Sequence, residues 1–216
     1  MLPEQARLAR ETRGFMPENE GMALYDAAST VGLTATGDRQ PIIVEIGAWC
    51  GKSTVYLGTG AKQRGALLIS LDHHRGSEEQ QPGWEHFDDI VVDADTGRID
   101  TLPFWRRTVE RAGIEDCVIG IVGDSTAVAS IWNAPIDMCF IDGGHSETAA
   151  WGDFNGWSPF VRIGGLLAIH DVFPDPQDGG RPPFEIYQAA LKSGSWIERI
   201  CEGSLRILER ISAVSD

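Results

Sequence analysis

Residues 41–60 read PIIVEIGAWCGKSTVYLGTG, and no other stretch of this chain constrains its fold as tightly. The β-branched run over 41–46 predicts a short buried strand and residues 53–60 predict the start of a helix, which leaves Gly47 to Gly51 as the turn between them. A strand, a glycine turn and a helix N-terminus in that order make a ligand site, because glycine lets the backbone approach a bound molecule and the first helical N–H groups face it. The spacing narrows the ligand. A P-loop needs four residues between its glycine and Gly-Lys-Ser, and here only Ala48, Trp49 and Cys50 intervene, so the anion nest is one residue short. A dinucleotide fingerprint needs a glycine where Trp49 stands. What remains is E-x-G-x-x-x-G-x-S with Glu45 on the strand, and a carboxylate there repels phosphate but suits a ligand with a cationic amino-acid group.

The pattern Glu45-x-Gly47-x-x-x-Gly51 resembles motif I of the class I S-adenosylmethionine-dependent methyltransferases. The resemblance implies that Glu45 lies near the methionine end of the cofactor and that Gly47, Trp49, Gly51 and Ser53 form the turn against it. Downstream, residues 66–71 predict strand two, ending in Asp72, where a carboxylate can bond both ribose hydroxyls. His73 and His74 follow as cofactor or substrate contacts. Residues 73–88 form a polar loop long enough to cover a pocket, with Trp84 either a flat face for a sugar ring or a packing anchor. Residues 101–112 predict a helix and 117–122 strand three, followed by Gly123-Asp124-Ser125, where the family contacts the adenine. Strand four over 136–141 closes on Asp142, which joins the implied cofactor set. A helix over 147–160 and a turn at Gly164-Gly165 lead to strand five over 166–169, ending His170-Asp171. A helix over 184–193 precedes an antiparallel hairpin of residues 196–201 and 205–211 joined by Glu202-Gly203.

The fold expected is therefore a single α/β domain spanning 1–216. Its core over 41–211 is Rossmann-like, a seven-stranded, mostly parallel sheet with a C-terminal antiparallel hairpin and helices on both faces. Residues 1–36 form a helical preface, with helices over 5–13 and 19–31, Asn19 as N-cap, and residues 15–20 either packing or folding over the cofactor mouth. A turn over 36–41 leads into strand one.

Strands four and five should be neighbours, so Asp142, His145, His170 and Asp171 converge at their carboxyl ends. Two carboxylates and imidazole suit a divalent cation, Mg²⁺ or Mn²⁺, although a capped loop with a structural Asp–His pair reads the same way. The series Asp142-Gly143-Gly144-His145-Ser146 with Asp153-Phe154, then Gly164-Gly165 and His170-Asp171, is similar to the macrocin-type metal-dependent sugar O-methyltransferases. Its loop over 72–84 is most similar to the branch that methylates the 1-hydroxyl of short 3-O-methylated mannosides, early in methylmannose polysaccharide synthesis. The resemblance gives Asp142, His170 and Asp171 to the metal and His145 to the role of general base near neutral pH. Where the macrocin type has Asp-Asp this chain has His170-Asp171, so His170 either ligates the ion or orients a ligand. A catechol-type or other small acceptor, or a binding module without catalysis, are the rival readings.

Composition excludes other classes. With 32 acidic side chains against 18 basic and a net charge of −14, the general field repels nucleic acid and anionic membranes, so a neutral substrate fits better, and the resemblance implies that it is a small saccharide. No apolar run reaches spanning length and the N-terminus lacks an apolar signal core, so the chain reads as cytoplasmic. The four cysteines form no C-x-x-C pair and read as reduced, mostly buried thiols. A homodimer is expected from the exposed sheet edge.

Overall fold

The computed structural model describes residues 1–32, 39–84, 86–175 and 177–212. Its centre is a seven-stranded sheet built from β1 (Ile42–Ile46), β2 (Leu67–Asp72), β3 (Val118–Val122), β4 (Ile136–Ile141), β5 (Val161–Ile169), β6 (Trp196–Glu202) and β7 (Leu205–Arg210). The spatial order is β3-β2-β1-β4-β5-β7-β6. The first five strands run parallel, and β7 is antiparallel to both β5 and β6. The expected mixed sheet with a terminal hairpin is therefore the fold observed.

Two cores explain why the central strands are mostly apolar on both faces, with Glu45, Ser70 and Asp137 set among the apolar side chains. On one face Ile43, Leu68, Met138, Phe140 and Ala168 pack against α1 (Pro3–Glu11), α2 (Glu18–Ala28), α3 (Lys52–Arg64) and α4 (Leu102–Ala112). On the other, Val44, Ile69, Cys139, Ile141 and Leu167 pack under α6 (Glu147–Trp157) and α7 (Arg181–Lys192), with Ala129 at the end of the short α5 (Ser125–Ala129). The preface belongs to the first core through Leu8, Leu24 and Ala28. It sits close because small residues allow it. A Cβ on Gly21 would lie 2.2 Å from the Tyr56 ring, and one on Gly60 would lie 2.6 Å from the Ala28 Cβ.

Several boundaries differ from the sequence expectation. Helix α2 starts behind Pro17, and Asn19 instead donates from Nδ2 to Glu202 Oε1 at 2.5 Å. Gly164-Gly165 is no turn before β5 but a bulge within it: Ile136 pairs with Val161 and Met138 with Leu166, so the extra residues of β5 loop out beside Asp137. The hairpin turn is Gly203-Ser204, one residue later than expected, because Glu202 still pairs with Leu205. Of the turn expected over 36–41, residues 36–38 lie outside the described residues. The thiols of Cys50, Cys117 and Cys139 are buried and that of Cys201 is exposed, all unpaired. Among the described residues no helix is long and apolar enough to cross a membrane.

Because Gly60 sits where α3 meets α2, Gly60→Ala should lower stability by about 1–2 kcal/mol, the overpacking cost less the helix-propensity gain of alanine. Urea unfolding of the full chain measures this, and a midpoint at or above the wild-type value would contradict the close helix contact.

Candidate functional site

The strand order reverses between β1 and β4, and an open parallel sheet holds its ligands in the crevice at that point. Here the two strand ends touch. Gly47 has φ of 85°, and a Cβ on it would lie 2.0 Å from the Asp142 carbonyl oxygen, so glycine is needed both for the turn and for the approach. The crevice opens into a cavity of about 1190 Å³, lined by the glycine turn, the ends of β2 to β5, and the 73–88 loop. That volume lies just above the roughly 300–1,000 Å³ common for small-molecule sites.

On the cofactor side, Gly47, Trp49, Ser53, Asp72, His73, Asp124, Ser125 and Asp142 all line the cavity. Gly51, with φ of 96°, caps α3 behind them. Glu45, expected near the methionine end of the ligand, lies beneath the turn and does not line the cavity. It is fully buried and accepts from Ser53 Oγ at 2.7 Å, Thr54 Oγ1 at 2.7 Å and Ser70 Oγ at 2.6 Å, bracing the turn from beneath. Burial pushes its carboxyl up to about 7, against the pull of the three hydroxyls. Asp72 also braces. Its Oδ2 accepts from the Ala48 and Trp49 N–H groups at 2.9 and 2.8 Å, and Oδ1 from His74 N at 2.7 Å. Each carboxylate oxygen has a second lone pair, so the ribose role stays geometrically open. His74 faces away: it is buried, with Nδ1 2.8 Å from Thr101 Oγ1. Asp124 caps α5 by accepting from Ala127 N at 2.8 Å, and Ser125 Oγ donates to Asp153. Burial lifts Asp153 to about 6.

Across the cavity, acids and imidazoles alternate. His145 Nδ1 lies 3.0 Å from Glu79 Oε2, and its Nε2 lies 3.0 Å from Asp171 Oδ2. His170 Nδ1 lies 3.0 Å from Asp142 Oδ1 and 3.3 Å from Asp171 Oδ2. Its far nitrogen, Nε2, is 2.6 Å from Glu20 Oε2 on α2. Asp171 turns back toward both rings by adopting φ of 55°, a left-handed conformation that non-glycine residues seldom take.

These contacts set the charges. Burial would lower the His145 pKa, but Asp171 and Glu79 outweigh it and hold the ring protonated to about 10. In this arrangement the two carboxylates favour the charged form of the His145 ring. Burial likewise opposes protonation of His170, and Asp142, Asp171 and Glu20 overcome it, raising that ring well above its ordinary value. Asp171 is buried as well, yet the two imidazoles hold it low, whereas burial dominates at Asp142 and raises it.

Asp142, His170 and Asp171 each offer a ligand atom, and all three lie within 4.8 Å of one another. One cation can bridge donors at that spacing, and two carboxylates with an imidazole form a set that Mg²⁺ or Mn²⁺ accepts. Sequence reasoning missed Glu20 and the pairing of Glu79 with His145, which lie 150 and 66 residues from their partners. At the mouth, Phe15 stacks 4.9 Å from His86 and 6.5 Å from Trp49, and the 61% exposed Trp84 stands on the loop.

The family model described as a methyltransferase domain matches residues 44–172. Among solved structures, SAH-bound methyltransferase PaMTH1 from Podospora anserina superposes with a TM-score of 0.64 at 14% identity, over 97% of this chain and 87% of that one. The O-methyltransferase NovP gives 0.65 at 14% identity over 90% and 81%. Cofactor-bound Rv0187 from MTB gives 0.52 at 17% identity over 88% and 87%. These are likenesses of fold.

Glu45 yields a prediction with a definite sign. With its pKa raised to about 7 from 4.5, the folded chain keeps a proton that the unfolded chain releases, so stability falls as pH rises through that window. Glu45→Gln removes this loss, and above the window it should gain on the wild type by at most about 3 kcal/mol. Urea midpoints of both chains at about pH 5 and about pH 8 test it. Parallel pH dependence in the two chains would contradict the neutral, buried carboxyl.

Proposed function

The chain belongs to the methyltransferase-domain family, and from that premise we propose that it is an S-adenosylmethionine-dependent O-methyltransferase acting on a sugar hydroxyl. The acceptor favoured by the resemblance of its loop is the 1-hydroxyl of a short 3-O-methylated mannoside. The observation that carries the reading is the meeting of Asp142, His145, His170 and Asp171 in the same cavity as the Gly47–Gly51 turn. Several carboxylates line that cavity, among them Asp72, Asp124, Asp142 and Asp171, which suits a cationic sulfonium ligand.

Bound there, S-adenosylmethionine supplies a methyl carbon made electrophilic by its sulfonium, and a Mg²⁺ or Mn²⁺ ion on Asp142, His170 and Asp171 supplies positive charge that favours an alkoxide. The chain's own residues position and deprotonate. The Gly47–Gly51 turn and the end of β4 fix one ligand, and the 73–88 loop closes over its neighbour, so reacting atoms are held in line. Glu79 at His145 Nδ1 favours the tautomer that carries its proton there and leaves Nε2 to accept one. Asp171 now occupies Nε2, so the acceptor hydroxyl must enter between them and take over that contact once the Nε2 proton has been released to solvent. Nε2 would then take up the proton that the acceptor hydroxyl gives up. Trp84 and Phe15 offer apolar faces at the mouth for the faces of sugar rings.

Calorimetry with S-adenosylhomocysteine should show one site per chain, and absence of binding would refute the cofactor assignment. His145→Ala should lower turnover by about 10²–10⁴-fold while leaving that affinity intact. Full turnover would remove His145 from the proton path. Chelation should abolish transfer and Mg²⁺ or Mn²⁺ restore it. A screen of 3-O-methylated mannosides against catechols tests the acceptor, and turnover of catechols alone would overturn the sugar assignment.

A further inference from the structure

Glu20 has no part in the chemistry above, yet it is among the most deliberately placed charges in the molecule. It is 3% exposed and accepts from His170 Nε2 at 2.6 Å and from the Ser204 N–H at 2.6 Å. Two glycines make room for it. Gly21 lets α2 press on Tyr56, and Gly203 leaves empty the space where a Cβ would lie 2.1 Å from Glu20 Oε1. The ring it touches is 4% exposed, and its other nitrogen, Nδ1, points at Asp142 and Asp171.

We propose that Glu20 is a positioning residue that fixes His170 as an Nε2–H donor and so reserves Nδ1 for a divalent cation shared with Asp142 and Asp171. This rests on the metal reading given under the proposed function. A carboxylate can only accept from the ring, so it admits one neutral tautomer, the one whose Nδ1 lone pair faces the two acids. Carboxylates that hold the far nitrogen of a ligating histidine set its tautomer and orientation, and losing one typically costs 10–100-fold in metal affinity. The tautomer decides whether His170 ligates. With Nδ1 protonated the same ring could only hydrogen-bond to Asp142 and Asp171.

The test is Mn²⁺ titration of the full chain, followed by calorimetry and by the electron paramagnetic resonance of free Mn²⁺, without substrate. Glu20→Gln keeps size and an acceptor for Ser204 but can offer an N–H to Nε2, which favours the wrong tautomer. It should weaken Mn²⁺ about 10–100-fold. Ser204→Ala removes a hydroxyl contact to Glu20 without touching the Glu20–His170 pair, and should bind Mn²⁺ as the wild type does. Wild-type affinity in Glu20→Gln would overturn the proposal while leaving the metal site standing, whereas a wild-type chain that takes up no Mn²⁺ would overturn both. Should Glu20→Gln fail to fold, ring ¹⁵N shifts of the Mg²⁺-loaded wild type decide: a protonated Nε2 with a metal-shifted Nδ1 supports the proposal, and a protonated Nδ1 overturns it.

Discussion

The contact between the turn after β1 and the end of β4 is the constraint from which the rest of the site follows. A parallel sheet whose order reverses leaves a gap between the loops that depart to opposite faces, and here the gap narrows until Gly47 meets the Asp142 carbonyl. No side chain fits there. The result is that the glycine turn and Asp142 are held together by backbone, with the Asp142 N–H also donating to the Ile46 carbonyl at 2.9 Å. Asp72 ties the same turn to β2 through two N–H groups, so three strand ends form one rigid floor.

Buried acids surround that floor, and each is answered differently. Asp137, at the opposite end of the sheet, is paired with Arg39 and Arg162 and accepts from the Ile42 N–H. Glu45 meets only hydroxyls, which cannot offset the cost of burying its charge, and burial therefore favours its neutral form. Glu20 meets an imidazole and a backbone N–H, which outweigh the penalty of burial and leave it more acidic than usual. The same side-chain chemistry thus gives a neutral brace, a structural ion pair and a polar clamp according to the donors nearby.

The sheet was legible because strands covered on both faces are mostly apolar, and their ends stood out as abrupt acids: Asp72, Asp124, Asp142 and Asp171. Convergence of Asp142, His170 and Asp171 followed from topology alone, since adjacent parallel strands bring their carboxyl ends together. What was not legible depended on partners distant in sequence. Nothing near Glu45 signals that Ser70 and Thr54 will consume its oxygens, and Glu20 reads as an ordinary helix-surface acid until α2 docks. The five-residue helix α5 is too short to show a period, and Gly164-Gly165 has the signature of a turn although the chain uses it as a bulge. His145 illustrates a different gap, because its charge is set by Glu79 and Asp171 together, and neither adjoins it in sequence.

The separations within the clamp carry a consequence for synthesis. Glu20 reaches His170 across 150 residues and Ser204 across 184, whereas the glycine turn meets Asp72 across only 24 and 23. Closing long loops is slow relative to closing short ones. A chain leaving the ribosome can therefore form the glycine turn and its Asp72 contacts early. The Glu20 contacts need the hairpin, because Ser204 lies in its turn.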